Sequence, residues 1–152
     1  MLSKSPLGVP IVIESSSSAI EQVCERILSE LHAGNFSKDD VFAVHLGLEE
    51  AFLNAIKHGN KDDVTRKVTI HYSISPDEVE IFMKDQGQGF DPDSVPDTRC
   101  GDNIYKIGGR GLFLIRSYMD LTEFNEQGNC IRMVKYNSNK KSLASKEKQP
   151  IN

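Results

Sequence analysis

Glu49-Glu50-Ala51-Phe52-Leu53-Asn54-Ala55-Ile56-Lys57-His58-Gly59-Asn60 closes the longest helical pattern in the chain. Val41, Val44, Leu48, Phe52, Ala55 and Ile56 recur at three- and four-residue spacing, which predicts one helix face turned to a core. Ser37 with Asp40 marks the start, and Gly59-Asn60 after His58 marks the stop. Within this helix Glu50 and Asn54 stand four residues apart, one above the other on the same face. A carboxylate and an amide so placed can hold a metal ion and a reacting hydroxyl side by side. Taken alone, they are equally well inert residues of a helix surface.

Upstream, Val9 to Ile13 predicts a short edge strand, because Pro10 lacks the N–H that an inner strand must donate. Ser18 and Glu21 have the form of a capping box for a helix from Ala19 to about His32, ended by Gly34-Asn35. Downstream the period changes to two. Val68, Ile70, Tyr72 and Ile74 alternate with polar residues, Ser75-Pro76-Asp77 turns the chain, and Val79, Ile81 and Met83 face one way in the next strand. The next residue in that register is Asp85, so a carboxylate continues an apolar face at the edge of the core, where it needs a partner.

Gly87-Gln88-Gly89-Phe90-Asp91-Pro92 ends this strand, and residues 91 to 107 have the character of a lid, a long aperiodic connection inside a compact domain. Gly108-Gly109-Arg110-Gly111 then leads into a helical pattern from Leu112 to Met119. Glycines before a helix start let backbone N–H groups approach an anion that the helix dipole also favours. The last two strands, Leu121 to Asn125 and Asn129 to Tyr136, form a hairpin around Glu126-Gln127-Gly128. Residues 138–152 are expected to be a polar, disordered tail.

A length of 152 residues allows one domain. A net charge of −4, with no Lys/Arg cluster before the tail, argues against nucleic acid as a partner. Lys140, Lys141, Lys146 and Lys148 are expected to solubilise the tail. Cys24, Cys100 and Cys130 form no C-x-x-C pair, and Cys24 shares an apolar stripe with Ile20, Val23, Ile27, Leu28 and Leu31, which predicts a buried thiol. Neither a membrane span nor a secretory leader is expected, and the cytosol is the natural compartment. His32, His45, His58 and His71 lack the close spacing of zinc ligands.

The chain contains no Walker A loop, and Pro92 stands where a dinucleotide fingerprint has its third glycine. Asp85 could serve only its own turn, and the glycines before the last helix could be an ordinary loop. The order of the signals is more specific than any one of them: Glu-x-x-x-Asn on a helix, a strand ending in Asp-x-Gly-x-Gly, a lid, then Gly-x-Gly before a helix. This set resembles the N, G1 and G2 boxes of the GHKL ATPase superfamily of gyrase, histidine kinases and the mismatch-repair and chaperone ATPases. Within it, Glu50 to Asn60, Asp85 to Pro92, Gly109 to Leu112 and Phe124 to Asn129 are similar to the anti-sigma factor serine/threonine-protein kinases of bacterial partner-switching systems. Leu121-Thr122 departs from the Glu-Val common in that branch, which bears on partner contacts.

The resemblance covers about residues 10 to 136 and implies an α+β two-layer sandwich: a mixed, mostly antiparallel sheet with helices on one face. Residues 1–137 would then be a kinase domain that takes ATP and Mg²⁺. It implies Glu50 as catalytic base, Asn54 as magnesium ligand and Asp85 as acceptor of the adenine amino group. Gly109, Arg110, Gly111 and Leu112 would hold phosphates, and Lys57, His58, Gly87 and Gly89 would complete the nucleotide site. The implied partners are an anti-sigma factor antagonist bearing the acceptor serine and a sigma factor, and related small kinases suggest a homodimer. A nucleotide-dependent binding module, a histidine-kinase-type catalytic domain acting in trans, and an ATPase that uses water stay open as alternatives.

Overall fold

The computed structural model describes residues 2, 4, 6, 8–89 and 109–140, with backbone alone at 109 and 110. Strands β1 (Ile11–Glu14), β2 (Lys67–Ile74), β3 (Glu78–Lys84), β4 (Leu121–Phe124) and β5 (Cys130–Tyr136) form one sheet in the order β1-β2-β3-β5-β4. All four pairings are antiparallel, with Ile11 opposite Ile70, Ile81 opposite both Tyr72 and Met133, and Phe124 opposite Ile131. Helices α1 (Ser17–Ala33), α2 (Lys38–Asn54) and α3 (Gly109–Tyr118) cover one face. The two-layer α+β sandwich expected from the sequence is the observed architecture, and the sheet, expected to be mixed, is antiparallel at every described pairing.

The sheet's period of two and the helix period of three to four meet in one core. Ile27 and Leu31 from α1, Val44, Leu48 and Phe52 from α2 and Ile115 from α3 pack on Val68, Ile70, Ile81, Met83 and Met133. Cys24 lies in this core as a free thiol, and desolvation, aided by the charges of Glu49 and Glu21, pushes its pKa up to about 11. Strand β3 departs from simple alternation, because Glu80 and Phe82 on its other face are buried as well. Arg132, directly across from Phe82, explains the charge there: its guanidinium donates to Glu80 at 2.7 and 2.8 Å and to Glu123 at 3.2 Å. A buried carboxylate is tolerated when a cation is set beside it.

Helix α1 starts before the expected capping box. Ser16 is the N-cap residue, with extended backbone and no side-chain cap bond, and Ser18 lies inside the helix. The cause is tertiary: β1 pairing ends at Glu14, and the Ser15 hydroxyl donates to the Arg66 carbonyl at 2.8 Å, so the chain turns there. Helix α2 begins as expected, with the Ser37 hydroxyl accepting the Asp40 N–H at 3.0 Å. Its end differs. The α-helix stops at Asn54 and continues as a π-helical turn over Ala55–Gly59, where a continuous α-helix to His58 was expected. Asn60 N–H donates to the Ala55 carbonyl at 2.7 Å, the five-residue span of a π turn.

The C-terminal end of β5 is tethered. Asn137 donates to the carbonyls of Pro76 and Gly34, and Ser138 N–H and Oγ both donate to the Asp40 carboxylate, at 2.9 and 2.8 Å. Residues 138–140, expected in the tail, therefore form a helical turn on the domain, and residues 141–152 lie outside the described residues. No described helix is long and apolar enough to cross a membrane.

Candidate functional site

Helix α2 runs into the site through its last turn. Glu50 and Asn54, both half-buried, project from it toward the first turn of α3. Gly111 lies against them so closely that a Cβ there would sit 2.9 Å from Glu50 Oε2 and 3.1 Å from Asn54 Oδ1. The bare glycine lets a helix N-terminus, with its unpaired N–H groups and positive dipole end, come up to a carboxylate and an amide. One turn away, Gly47 similarly admits Met119, 3.0 Å from the position of a Cβ. Helices α2 and α3 can thus lie close enough to hold this arrangement without a side chain between them.

Asp85 follows β3 and lines a pocket whose wall includes Asn54, Ala55, Gly59, Met83, Asn129 and Ile131. Asp85 is 8% exposed, and its position is held by the backbone. Its N–H donates to the Asn129 carbonyl at 2.9 Å, and its Oδ1 accepts the Gly87 N–H at 2.8 Å. Side chains on Gly59 or Gly87 could not fit, since one would overlap the Asp85 carboxyl and the other the Gly59 carbonyl. Desolvation raises the Asp85 pKa above the ordinary value, opposed by the Gly87 N–H and by the charges of Arg66 and Lys84. A carboxyl buried among apolar side chains, with one oxygen committed to Gly87, leaves the other to accept from a ligand.

The structure brings Asn54 and Asp85 to one pocket, with Glu50 and Gly111 packed against Asn54 and Gly87 packed against Gly59 and Asp85. Gly89 stands beside it at φ +84°, tight against the Gln127 carbonyl of the β4–β5 hairpin, and only a glycine fits there. Lys57 and His58 are exposed on the π turn and do not line the pocket. Leu112 is 1% exposed and packs inside, so only its backbone could meet a ligand. Gly109 and Arg110 begin α3, and the Arg110 side chain lies outside the described residues. The expected lid of residues 91 to 107, with Phe90 and Gly108, lies there too.

Three features of the site were absent from the sequence reading. The π turn sets Gly59 against Asp85. The hairpin asparagines fix the far wall, with Asn125 Oδ1 accepting the N–H groups of Asn129 and Cys130, and Asn129 Nδ2 donating to the Gly87 carbonyl at 3.4 Å. Asn60 was read only as a helix stop. The signal available for both was an asparagine next to a glycine, which reads first as a turn.

The donor set suits a nucleotide with a hard cation. Asn54 and Glu50 offer oxygens beside a helix N-terminus that favours phosphate, and Gly111 leaves a cradle that a Cβ would fill. The far end, apolar with one buried carboxyl, suits a planar base that bears an amino donor.

The chain matches the histidine kinase-like ATPase domain family over residues 13–135. It is 34% identical over 108 residues to the serine-protein kinase RsbW of Staphylococcus epidermidis, an alignment covering 66% of this chain and 68% of that protein. It is 30% identical over 108 residues to the RsbW kinase of Listeria innocua, covering 66% and 69%. Among solved structures, a histidine kinase domain from the Erythrobacter litoralis EL346 blue-light activated histidine kinase superposes with a TM-score of 0.50 at 16% identity. That superposition covers 88% of this chain and 69% of the other, and it bears on the fold alone.

Proposed function

This chain belongs to the histidine kinase-like ATPase domain family, and from that premise we propose that it is an ATP-dependent serine/threonine-protein kinase that regulates a sigma factor by partner switching. The observation that carries this reading is the meeting of Glu50 and Asn54 with the bare Gly111 at the head of α3, beside a pocket that Asn54 shares with Asp85. Asp85 accepts the adenine amino group through its uncommitted oxygen. Guanine presents a carbonyl at the corresponding position, so the site prefers ATP. Gly87 and Gly89 keep the walls of this end backbone-thin.

Asn54 offers Oδ1 to Mg²⁺, which when bound offsets the charge of the phosphates. The backbone from Gly109 to Leu112 would offer its N–H groups to the phosphates. Glu50 takes the proton of the acceptor serine as its Oγ bonds to the γ-phosphorus of ATP. The bond from that phosphorus to the β,γ-bridging oxygen breaks, and ADP leaves. The chain's contribution is positioning, charge stabilisation and one proton transfer, the general pattern of phosphoryl transfer.

The acceptor is a serine of an anti-sigma factor antagonist, and when the antagonist is unavailable the kinase holds the sigma factor itself. It acts as a homodimer in the cytoplasm, where ATP and sigma factors meet. The test is incubation with γ-labelled Mg·ATP and candidate antagonist proteins. Label on a partner serine is expected. Tight ATP-dependent binding without label would make the chain a binding module, and free phosphate without a partner would make it a hydrolase.

A further inference from the structure

Asn60 has no exposed surface, and a buried amide costs free energy unless the protein satisfies it. Its side chain reaches three separate segments. Nδ2 donates to the Lys67 carbonyl at 3.1 Å and to the Ser15 hydroxyl at 3.3 Å, and Oδ1 accepts the Gln86 backbone N–H at 2.8 Å. Gln86 repeats the link, its Oε1 accepting the Lys67 N–H at 2.6 Å. One side chain thus joins the end of the helix carrying Glu50 and Asn54, the start of β2, the turn before α1 and the residue next to Asp85.

Capping chemistry does not account for an asparagine here. Asparagine after a helix is favoured because it tolerates the left-handed conformation, yet Asn60 has φ −79° and ψ −7°, and the left-handed residues are Lys61 and Asp62 after it. Its hydrogen bonds are the distinguishing feature, and one of them holds the loop with least tolerance for error. The Asp85 carboxyl rests on the bare Cα of Gly59, and Gly87 rests on the Gly59 carbonyl. From the hairpin before β5, the Asn129 carbonyl accepts the Asp85 N–H. From the end of the π turn, Asn60 accepts the N–H of the next residue.

We infer that Asn60 is a positioning residue for the nucleotide base: by holding the Gln86 N–H it sets the direction of the Asp85 carboxyl and so the preference for adenine. The inference rests on the proposed role of Asp85 as the adenine acceptor. Asn60→Ala removes the partner of the Gln86 N–H, and so lets the loop turn. Asn60→Asp keeps an oxygen for that N–H but loses the donors to Lys67 and Ser15. The two variants therefore separate holding the loop from holding the fold.

The experiment measures dissociation constants for Mg·ATP and Mg·GTP, with thermal midpoints, for the full chain and for Asn60→Ala, Asn60→Asp and Asp85→Asn. Asn60→Ala is expected to weaken ATP by up to about tenfold, the usual scale for one lost hydrogen bond, with GTP little changed, so that the ATP:GTP ratio falls. Asn60→Asp is expected to melt lower than the unsubstituted chain yet keep most of the ratio. An unchanged ratio in Asn60→Ala, with ATP binding lost in Asp85→Asn, would overturn the inference and leave the adenine reading standing. Normal ATP binding by Asp85→Asn would overturn both. If Asn60→Ala does not fold, Asn60→Asp decides: a kept ratio at a lowered midpoint supports the inference, and a ratio that falls with the midpoint overturns it.

Discussion

Asp85→Asn should raise the stability of the nucleotide-free protein while weakening its affinity for ATP. The substitution replaces a carboxyl that is 8% exposed, beside Met83, Ala55 and Ile131, with an amide that can still accept the Gly87 N–H. Desolvation is the largest influence on this carboxyl and raises its pKa above 3.8, outweighing the Gly87 N–H, Arg66 and Lys84. A carboxyl whose folded pKa is raised stabilises the fold fully below its unfolded pKa. It loses that contribution as pH rises through the folded value. At neutral pH the ionised group therefore weighs against folding, and its removal should add on the order of 1 kcal/mol, or about 3 °C in Tm for a chain of this length. The gain should shrink as pH is lowered toward the ordinary carboxyl range. ATP affinity runs the other way, because a charge-assisted hydrogen bond of roughly 1.5–3 kcal/mol is lost, about 10–150-fold in Kd. In the unsubstituted chain, ATP affinity should fall as acid protonates Asp85, beginning above the ordinary carboxyl range. Thermal melts without nucleotide across pH and titration calorimetry with Mg·ATP check both halves. A variant that melts lower and binds ATP normally would mean that Asp85 only braces its own turn.

Gly111→Ala should leave the melt within about 1 kcal/mol of the original or raise it, since alanine favours a helix over glycine. Its methyl, 2.9 Å from Glu50 Oε2, must displace the carboxylate, and a misplacement of about 1 Å can cost on the order of 10²-fold in rate; a phosphoryl-transfer assay beside a thermal melt separates the two effects. Glu80→Ala should lower stability by about 3 kcal/mol, because it removes the nearer carboxylate from Arg132, which is 4% exposed. Denaturant melts measure the loss, and the ATP Kd should hold, since Glu80 lies on the sheet face away from the helices.

Much of the site was legible because its signals are local. Glu50 and Asn54 follow from helix spacing, Asp85 from a break in a strand's alternation, and Gly111 from glycine before a helix. What brings these together is not local. The π turn over Ala55–Gly59 cannot be told from an α-helix by periodicity, since the bonds that favour it come from Asn60 reaching Lys67, Ser15 and Gln86. The start of α1 is hidden in the sequence for a similar reason: four serines in a row look alike until Ser15 is engaged by Arg66. The burial of Glu80 depended on Arg132, a residue two strands later in sequence that the sheet order places alongside. Leu112 carried a glycine-loop signal but sits where the α3 stripe turns inward.

Glu50→Ala bears on whether Glu50 serves as the base for phosphoryl transfer in an ATP site. Binding of Mg·ATP and single-turnover transfer of labelled phosphate to the acceptor protein are measured on the same preparation. ATP binding should stay near the original value and transfer should slow by ~10²–10⁴-fold, the usual worth of a general base. Transfer at the original rate would contradict that role and reduce Glu50 to a structural neighbour of Gly111.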